Sequence, residues 1–135
     1  MIGLDTNVLV RYLTQDDARQ SAAATRLIEQ ELSPARPGFI SLVVLVELCW
    51  VLKRLYGAKE PELADTVAAL LEAGPFKVEH RNVVQAALAR MSKGQESKAG
   101  FADALVAALA QHHGCTQTLT FDKGAVASAG MSLLL

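Results

Sequence analysis

The chain has 135 residues, 51% of them hydrophobic and 20% charged, which is typical of one globular domain and argues against a disordered chain. The formal net charge of −1 excludes a general electrostatic attraction to nucleic acid, so any such binding has to depend on local charge. Because Ala, Leu and Val carry most of the apolar content, helices are expected to dominate.

The sequence contains no pattern for export or for membrane insertion. No uninterrupted apolar run is long enough to span a bilayer, and Asp5 comes too early for a secretory signal. Cys49 and Cys115 lie far apart and form no CxxC pair, which favours two buried, reduced thiols. We therefore expect a cytoplasmic protein that forms a single domain over residues 1–135.

The first apolar run, residues 2–4, predicts a short buried strand that turns into a helix at Asp5. A second helix is expected after the acidic pair at residues 16–17, where Ala, Leu and Ile recur at helical spacing, and Pro34 ends it. Residues 38–41 then predict a second strand.

The middle of the chain predicts two helices and a strand. Residues 42–56 are strongly apolar and are closed by Gly57, as expected for a central helix. Pro61 opens the next helix, whose Leu and Val residues form one stripe and which ends at residues 74–75. Residues 76–78 predict the third strand.

The last third of the chain predicts two more helices and two more strands. One helix runs through residues 84–88, and a polar loop over residues 92–100 separates it from another helix over residues 101–113. Strands are expected at residues 118–120 and 131–134. Short apolar strands that alternate with helices indicate an α/β fold with a mostly parallel sheet.

Three aspartates occupy positions that are typical both of ligand-binding residues and of helix caps in this fold. Asp5 and Asp122 each follow a predicted strand directly, and ligand sites in parallel sheets lie beyond the carboxyl ends of the strands. We therefore expect these two residues near the same edge of the sheet. Each aspartate also has a purely structural explanation. Asp5 is equally suited to capping the following helix, and Asp122 to a turn. Asp103 is suited to the first turn of a helix, where an acid interacts favourably with the helix dipole.

Glu47 is the only charged residue between positions 42 and 52. Its neighbours three and four residues away are all apolar, so its own helix offers no salt bridge. A carboxylate on such an apolar helix is costly unless it is paired, hydrogen-bonded or bound to a cation. We therefore expect Glu47 to be a ligand rather than a residue on a solvent-facing stripe.

Together these acids have the chemistry of a site for a hard divalent cation. Mg²⁺ is typically held by a few carboxylates, with water and substrate phosphate completing its shell. One or two such ions can ionise a water molecule and neutralise charge on a scissile phosphate. Since the site needs no Cys or His, Mg²⁺ or Mn²⁺ suits it better than zinc. The expected ligands, and catalytic residues, are Asp5, Glu47, Asp103 and Asp122.

Four segments that contain these acids, residues 2–9, 40–48, 101–105 and 119–123, resemble the PIN-domain nucleases and, within them, the VapC toxins of bacterial toxin–antitoxin pairs. The segments occur in the family's order and run through essentially the whole chain. The resemblance implies a three-layer α/β/α sandwich with a mostly parallel central sheet, and cleavage of RNA by metal-activated water. By position, three of the acids match the family's central acids, and Asp122 matches a fourth that often acts through water or shapes the pocket.

The resemblance also points to supporting residues. Three polar residues look like those that orient the carboxylates or contact phosphate, although ordinary capping and turn hydrogen bonds fit them equally well: Thr6, Asn7 and Thr120. Three cations near the same segments are candidates for RNA contact: Arg11, Arg54 and Lys98. Arg54 follows Glu47 by seven residues, which places both on one helix face about 10 Å apart. The histidines have no ligand-like spacing with the acids and receive no role.

Toxins of this kind are typically homodimers, and a small VapB-like antitoxin silences them. Both partners, beside the RNA substrate, are therefore implied for this chain by the resemblance alone. The chain departs from some family members just before Asp103, where Ala99 and Gly100 replace an acidic or polar side chain. This difference leaves the number of metal ions, one or two, open.

Three other functions have to be weighed against this one. A haloacid-dehalogenase-type phosphotransferase needs a second aspartate two residues after Asp5, where this chain has Asn7. A phospho-receiver-like interaction domain needs an aspartate at the end of a central strand, and none stands mid-chain. A PIN-domain nuclease that processes RNA without being a toxin is a third possibility, although the compact length favours a toxin by analogy.

Overall fold

The computed structural model describes residues 1–93 and 100–135, apart from the side chains of residues 92, 93 and 128. Lys98 and most of the loop predicted over residues 92–100 lie outside the described residues. The described chain divides into two compact units, Met1–Glu79 and His80–Leu135.

Helices separate consecutive strands along the described chain, as the sequence predicts. The strands are β1 (Ile2–Gly3), β2 (Gly38–Ile40), β3 (Phe76–Val78), β4 (Leu119–Thr120) and β5 (Ser132–Leu133). The helices are α1 (Thr6–Thr14), α2 (Ala18–Arg26), α3 (Leu42–Tyr56), α4 (Glu60–Glu72), α5 (Arg81–Lys93), α6 (Phe101–His112) and α7 (Lys123–Ala129). The α/β class and the parallel pairing of its strands are confirmed.

The first unit is built on a three-stranded parallel sheet with β2 in the centre. A Cβ atom at Gly38, at the start of β2, would lie 2.7 Å from Cδ1 of Leu4 and 2.8 Å from Cδ1 of Leu32, so a larger residue requires these two leucine side chains to shift. Helix α1 packs against α2 and α3, while α4 packs against α3 and β3. The largest fully buried side chains of this unit are Leu9, Ile40, Leu45, Leu48, Leu63 and Val67.

Helix α3 is defined by hydrogen bonds at its first turn and by a glycine at its end. The Ser41 hydroxyl accepts a hydrogen bond from the Val44 amide at 3.1 Å, a typical N-cap contact. The apolar run closes at Gly57, whose φ of 69° is a left-handed conformation that favours glycine. The predicted boundaries of this central helix are confirmed.

The second unit packs α5 against α6, with α7 contacting both. Strands β4 and β5 form a separate two-stranded parallel sheet in which Leu119 pairs with Ser132. Phe101, the first residue of α6, is fully buried. A second buried cluster is made of small side chains and one methionine: Ala107, Ala125, Ala129 and Met131.

Three sequence expectations need correction. Helix α7 was not expected, because residues 121–124 look like a turn and the helix is only seven residues long with a glycine inside it. The helix that follows residues 16–17 does not stay α-helical, since Leu27–Glu31 forms a π-helical segment. Strands β1 and β4 belong to different sheets, so Asp5 and Asp122 do not follow strands of one sheet.

None of the helices in the described part of the chain combines the length and apolarity that a membrane span needs.

A polar cluster joins the ends of α1, α2 and α3. The Arg11 guanidinium forms an ion pair with Asp16 at 3.0 Å and donates to the side chain of Gln20 at 2.8 Å. The Tyr56 hydroxyl donates a hydrogen bond to Asp16. The hydrogen bonds from Tyr56, then Thr14, and the contact with Arg11 lower the pKa of the Asp16 carboxyl to about 2.

We expect this cluster to make stability depend on acidic pH. Because the pKa of Asp16 is lower in the folded chain than its ordinary value of 3.8, the contribution is complete above about pH 4 and is lost as the pH falls towards 2. The melting temperatures of the wild type and Asp16→Asn should therefore differ at pH 7 and converge at low pH. A difference that stays constant from pH 7 to pH 2 contradicts this expectation.

The two cysteines are both free but differ in exposure. Cys49 is buried, and burial, followed by the nearby charge of Glu60, raises the pKa of its thiol to about 12. Cys115 is exposed, so the expectation of two buried thiols is wrong for this residue. We predict that a thiol reagent at pH 8 modifies one cysteine rapidly in the folded protein and the other only after unfolding. Cys115→Ser should remove the fast phase, and its persistence in that variant contradicts the assignment.

Candidate active site

Asp5 stands directly after β1, where the backbone pairing of the sheet ends. The Leu4 amide still donates to the Phe39 carbonyl at 3.0 Å, and the chain then turns into α1. Asp5 is the N-cap of that helix, and its Oδ1 accepts a hydrogen bond from the Thr6 amide at 2.8 Å. The side chain is exposed. The capping role is therefore real, and it orients the carboxylate at the carboxyl end of β1.

Glu47 lies on the solvent-exposed side of α3, which contradicts the expectation of a carboxylate shielded by apolar neighbours. The apolar residues beside it are themselves exposed: 78% of Val43 and 60% of Trp50 is accessible to solvent. Among the described residues Glu47 has no hydrogen-bond or ion-pair partner. The carboxylate of Glu47 is therefore accessible to a ligand. Because it is exposed, the cost of burying a charge is no longer a reason to expect that it binds a cation.

A second acid at this edge of the first unit was missed. Glu79 follows β3 directly, and its amide donates to the Ile40 carbonyl at 2.9 Å. Its Oε1 accepts a hydrogen bond from the Leu42 amide at 2.9 Å, at the N-terminus of α3. Because β1, β2 and β3 run parallel, Asp5 and Glu79 lie at the same edge of the sheet. The rule that singled out Asp5, an acid directly after a predicted strand, would also have found Glu79.

In the second unit, the candidate acids lie at the starts of two helices. Asp103 is half-buried in the first turn of α6. Asp122 is exposed and is the N-cap of α7, where its Oδ1 accepts a hydrogen bond from the Gly124 amide at 2.8 Å. The Thr120 hydroxyl accepts a hydrogen bond from the Asp122 amide at 3.0 Å. This contact is the ordinary turn hydrogen bond that the sequence left open for Thr120, and it holds the backbone that carries Asp122.

The remaining supporting residues of the first unit differ in what they can contact. Thr6 is buried, and its Oγ1 has no hydrogen-bond partner among the described residues, so it serves Asp5 through its amide rather than its hydroxyl. Asn7 and Arg54 are exposed and without partners in the described chain. The Arg11 guanidinium is engaged by Asp16 and Gln20, which gives it a structural role. Of the two arginines, Arg54 is therefore the one whose guanidinium has no described partner to compete with a ligand.

The donor chemistry of these acids fits a hard divalent cation, because exposed carboxylate oxygens are what Mg²⁺ and Mn²⁺ prefer. Asp5 and Asp122 are also held in place by backbone hydrogen bonds, as outer contacts orient metal ligands. Within either unit taken alone, the described residues contain no group of three or more His, Cys, Asp or Glu side chains that could hold a metal ion.

The first unit also contains a largely apolar cavity of about 750 Å³. Ile28, Leu32, Leu70 and Phe76 are among its lining residues. Two acids, Glu29 and Asp65, also line it. The candidate acids Asp5 and Glu47 do not line this cavity, so it is a separate feature of the unit.

Three histidines of the second unit come together although the sequence assigned them no role. The ring centroids of His80 and His112 are 5.2 Å apart, and those of His112 and His113 are 5.3 Å apart. His80 also has a φ of 47°, which is rare for a residue other than glycine. Spacing could not predict this cluster, because more than 30 residues separate His80 from the other two.

The model of the PIN-domain family matches the chain over residues 2–129. The matched range contains every acid assigned to the candidate site and runs through both compact units. Among curated proteins, no sequence matches the chain.

Proposed function

Since the chain belongs to the PIN-domain family, we propose that it is a metal-dependent endoribonuclease whose single catalytic domain spans the whole chain. The observation that carries this proposal is the match to the family over residues 2–129. PIN domains are generally metal-dependent nucleases, so a hydrolase of phosphodiester bonds is the activity the family supports. Membership in this family leaves no support for the phosphotransferase and phospho-receiver alternatives.

We propose that four acids hold one or two Mg²⁺ or Mn²⁺ ions: Asp5, Glu47, Asp103 and Asp122. When bound, the cation supplies an ionised water and neutralises charge on the scissile phosphate. The chain's own residues orient the ligands. The Thr6 amide holds the Asp5 carboxylate, and the Gly124 amide holds the Asp122 carboxylate. Thr120 fixes the backbone at Asp122, and the exposed Arg54 is proposed to contact RNA phosphate.

The experiment that tests the activity is cleavage of a mixed pool of structured RNAs by the purified chain with Mn²⁺. Parallel reactions contain a chelator or the Asp103→Asn variant. Discrete cuts that disappear in both controls are the expected result, and they would also identify the preferred target. Cleavage that persists in chelator or in Asp103→Asn contradicts the proposed mechanism. No cleavage, together with no Mn²⁺ binding by titration, contradicts the proposed function itself.

Glu47→Gln should weaken Mn²⁺ binding without lowering stability. The substitution removes the ligand charge, whereas the exposed side chain has no hydrogen bond or ion pair within the described chain to lose. We expect the metal dissociation constant to rise at least tenfold and the free energy of unfolding to change by less than about 0.5 kcal/mol. Calorimetric titration and urea unfolding measure the two quantities. A clear loss of stability with unchanged Mn²⁺ binding contradicts the assignment.

We further propose that the nuclease is a cytoplasmic VapC-like toxin held inactive by a VapB-like antitoxin. The apolar cavity of the first unit supports such a partner, because an amphipathic helix with basic side chains would complement its apolar lining and the acids Glu29 and Asp65. Expression of the wild type, but not of Asp5→Asn, is expected to arrest growth. Growth at the wild-type rate with an active nuclease would indicate an RNA-processing enzyme that is not a toxin.

A homodimer is also part of the proposal. Val43, Glu47, Trp50 and Arg54 recur at helical spacing on one exposed face of α3, here called the α3 stripe. Large exposed apolar side chains such as Trp50 are typical of protein interfaces, and a second subunit could complete a groove for RNA. Light scattering should show a dimer that Trp50→Arg converts to a monomer, while Leu55→Arg, off the stripe, leaves it intact. A monomeric wild type contradicts this part of the proposal.

A further inference from the structure

The second unit contains a small polar cavity of about 190 Å³ that the proposed nuclease site does not use. Most of its lining residues carry hydroxyl, amide or thiol groups: Gln111, Cys115, Thr116, Gln117 and Thr118. Arg90 also lines the cavity. Among the described lining residues it alone carries a charge, and none of them is a carboxylate. The chemistry of this cavity therefore favours an anionic ligand over a cation or an apolar molecule.

Arg90 is held in the cavity by two different elements. Its Nη1 donates a hydrogen bond to the Ala129 carbonyl at 2.8 Å, at the end of α7, and its Nη2 donates to the Gln111 side chain of α6. The glycine that follows α7 permits this approach: a Cβ atom at Gly130, whose φ is 71°, would lie 3.3 Å from Nη1 of Arg90. The guanidinium is thus fixed before any ligand arrives.

These two contacts leave most of the donors of Arg90 unused. A guanidinium carries five N–H groups, and within the described chain only two of them have acceptors. The contact with the end of α7 uses one N–H group, the contact with Gln111 uses another, and Arg90 also lines the polar cavity. The Nε atom of Arg90 has no described acceptor and is not buried, so it remains accessible to an anion in the cavity.

We propose that this cavity binds a phosphate group, either free inorganic phosphate or the terminal phosphate of an RNA fragment. Arginine pairs with phosphate through parallel N–H donors, and the threonine hydroxyls and glutamine amides can donate to its remaining oxygens. The volume equals that of roughly six water molecules, which is enough for a tetrahedral oxyanion with some of its hydration.

The phosphate site is separate from the acids of the proposed nuclease. Gln111 lies eight residues after Asp103 on α6, about 12 Å further along the helix at 1.5 Å per residue. Thr118 precedes β4, whereas Asp122 follows it. Phosphate binding in this cavity therefore does not require RNA cleavage. The protein can show either activity without the other.

The test is a titration of the full chain with inorganic phosphate at low ionic strength, in the absence of divalent metal. Binding is followed by the amide resonances of residues 115–118. Arg90→Gln removes the guanidinium, and Arg19→Gln is the matched control, since Arg19 is exposed on α2 and has no described partner. Thr118→Val removes one lining hydroxyl at nearly constant volume, and it remains informative if Arg90→Gln fails to fold.

We expect saturable shifts that Arg90→Gln weakens at least tenfold and Thr118→Val at least threefold, with Arg19→Gln unchanged. A second titration compares a trinucleotide carrying a 5′-phosphate with the same trinucleotide carrying a 5′-hydroxyl. Tighter binding of the phosphorylated form identifies an RNA end as the ligand, and binding of inorganic phosphate alone identifies the free ion. Shifts that do not saturate, or that are equal in the wild type, a folded Arg90→Gln and Thr118→Val, overturn the proposal.

Discussion

Asp5→Asn is expected to reduce RNA cleavage at least about a hundredfold while the protein stays folded. Losing residues that merely orient metal ligands already costs about ten- to a hundredfold, and this substitution removes the charge of a proposed ligand. Asparagine is as good an N-cap as aspartate, so the hydrogen bond from the Thr6 amide can be kept. Cleavage rates at saturating Mn²⁺ and melting temperatures measure the two effects.

A matched control separates catalysis from capping. Asp17 is also an N-cap aspartate, and its Oδ1 accepts a hydrogen bond from the Gln20 amide at 2.8 Å. Asp17→Asn therefore loses the same charge at the start of a helix, α2 instead of α1, and about the same helix-dipole energy of up to ~1 kcal/mol. Its cleavage rate should remain at the wild-type value. Equal loss of activity in both variants would mean that Asp5 acts only through the fold.

Leu45→Ala is expected to lower the free energy of unfolding strongly. The side chain is fully buried in α3, so the substitution removes apolar contacts and leaves a cavity in the core of the first unit. Substitutions of this kind lower the free energy of unfolding by about 2–5 kcal/mol. Urea unfolding followed by circular dichroism measures the change.

The same helix provides the control for this prediction. Leu55 is 69% exposed, and Leu55→Ala makes the identical chemical change with an expected effect within about 0.5 kcal/mol. Because both residues are in α3, the difference reports burial rather than helix propensity. Similar values for the two variants would contradict the assignment of Leu45 to the core and of Leu55 to the surface.

The outward face of α3 shows where reasoning from residue types alone failed. A run of apolar residues around Glu47 predicted a shielded carboxylate, but Val43 and Trp50 are exposed as well. Hydrophobicity predicts which residues prefer burial, yet a helix of mostly apolar residues has more apolar surface than a small unit can cover. Which apolar residues of the helix stay exposed depends on how the neighbouring elements pack against it.

Local patterns sufficed where the determining interaction is close in sequence. Apolar runs ending in Asp5 or Gly57 predicted strand and helix ends correctly, because caps and left-handed glycines act within a few residues. The four segments that contain the candidate acids likewise resemble the PIN-domain family, whose model matches residues 2–129. Helix α7 was missed because seven residues that include a glycine are too few for a helix that is stable by itself, and its stability comes from packing.

Periodicity, capping and motifs are local along the chain, and they therefore suffice to predict the α/β class, most element boundaries and the family. The packing of distant elements, in contrast, establishes that Glu79 caps α3, that Tyr56 donates to Asp16 and that Arg90 donates to Gln111 beside a polar cavity. Each of these contacts joins residues separated by more than 20 positions. Such pairings are set by how helices and strands pack, and no local pattern records them.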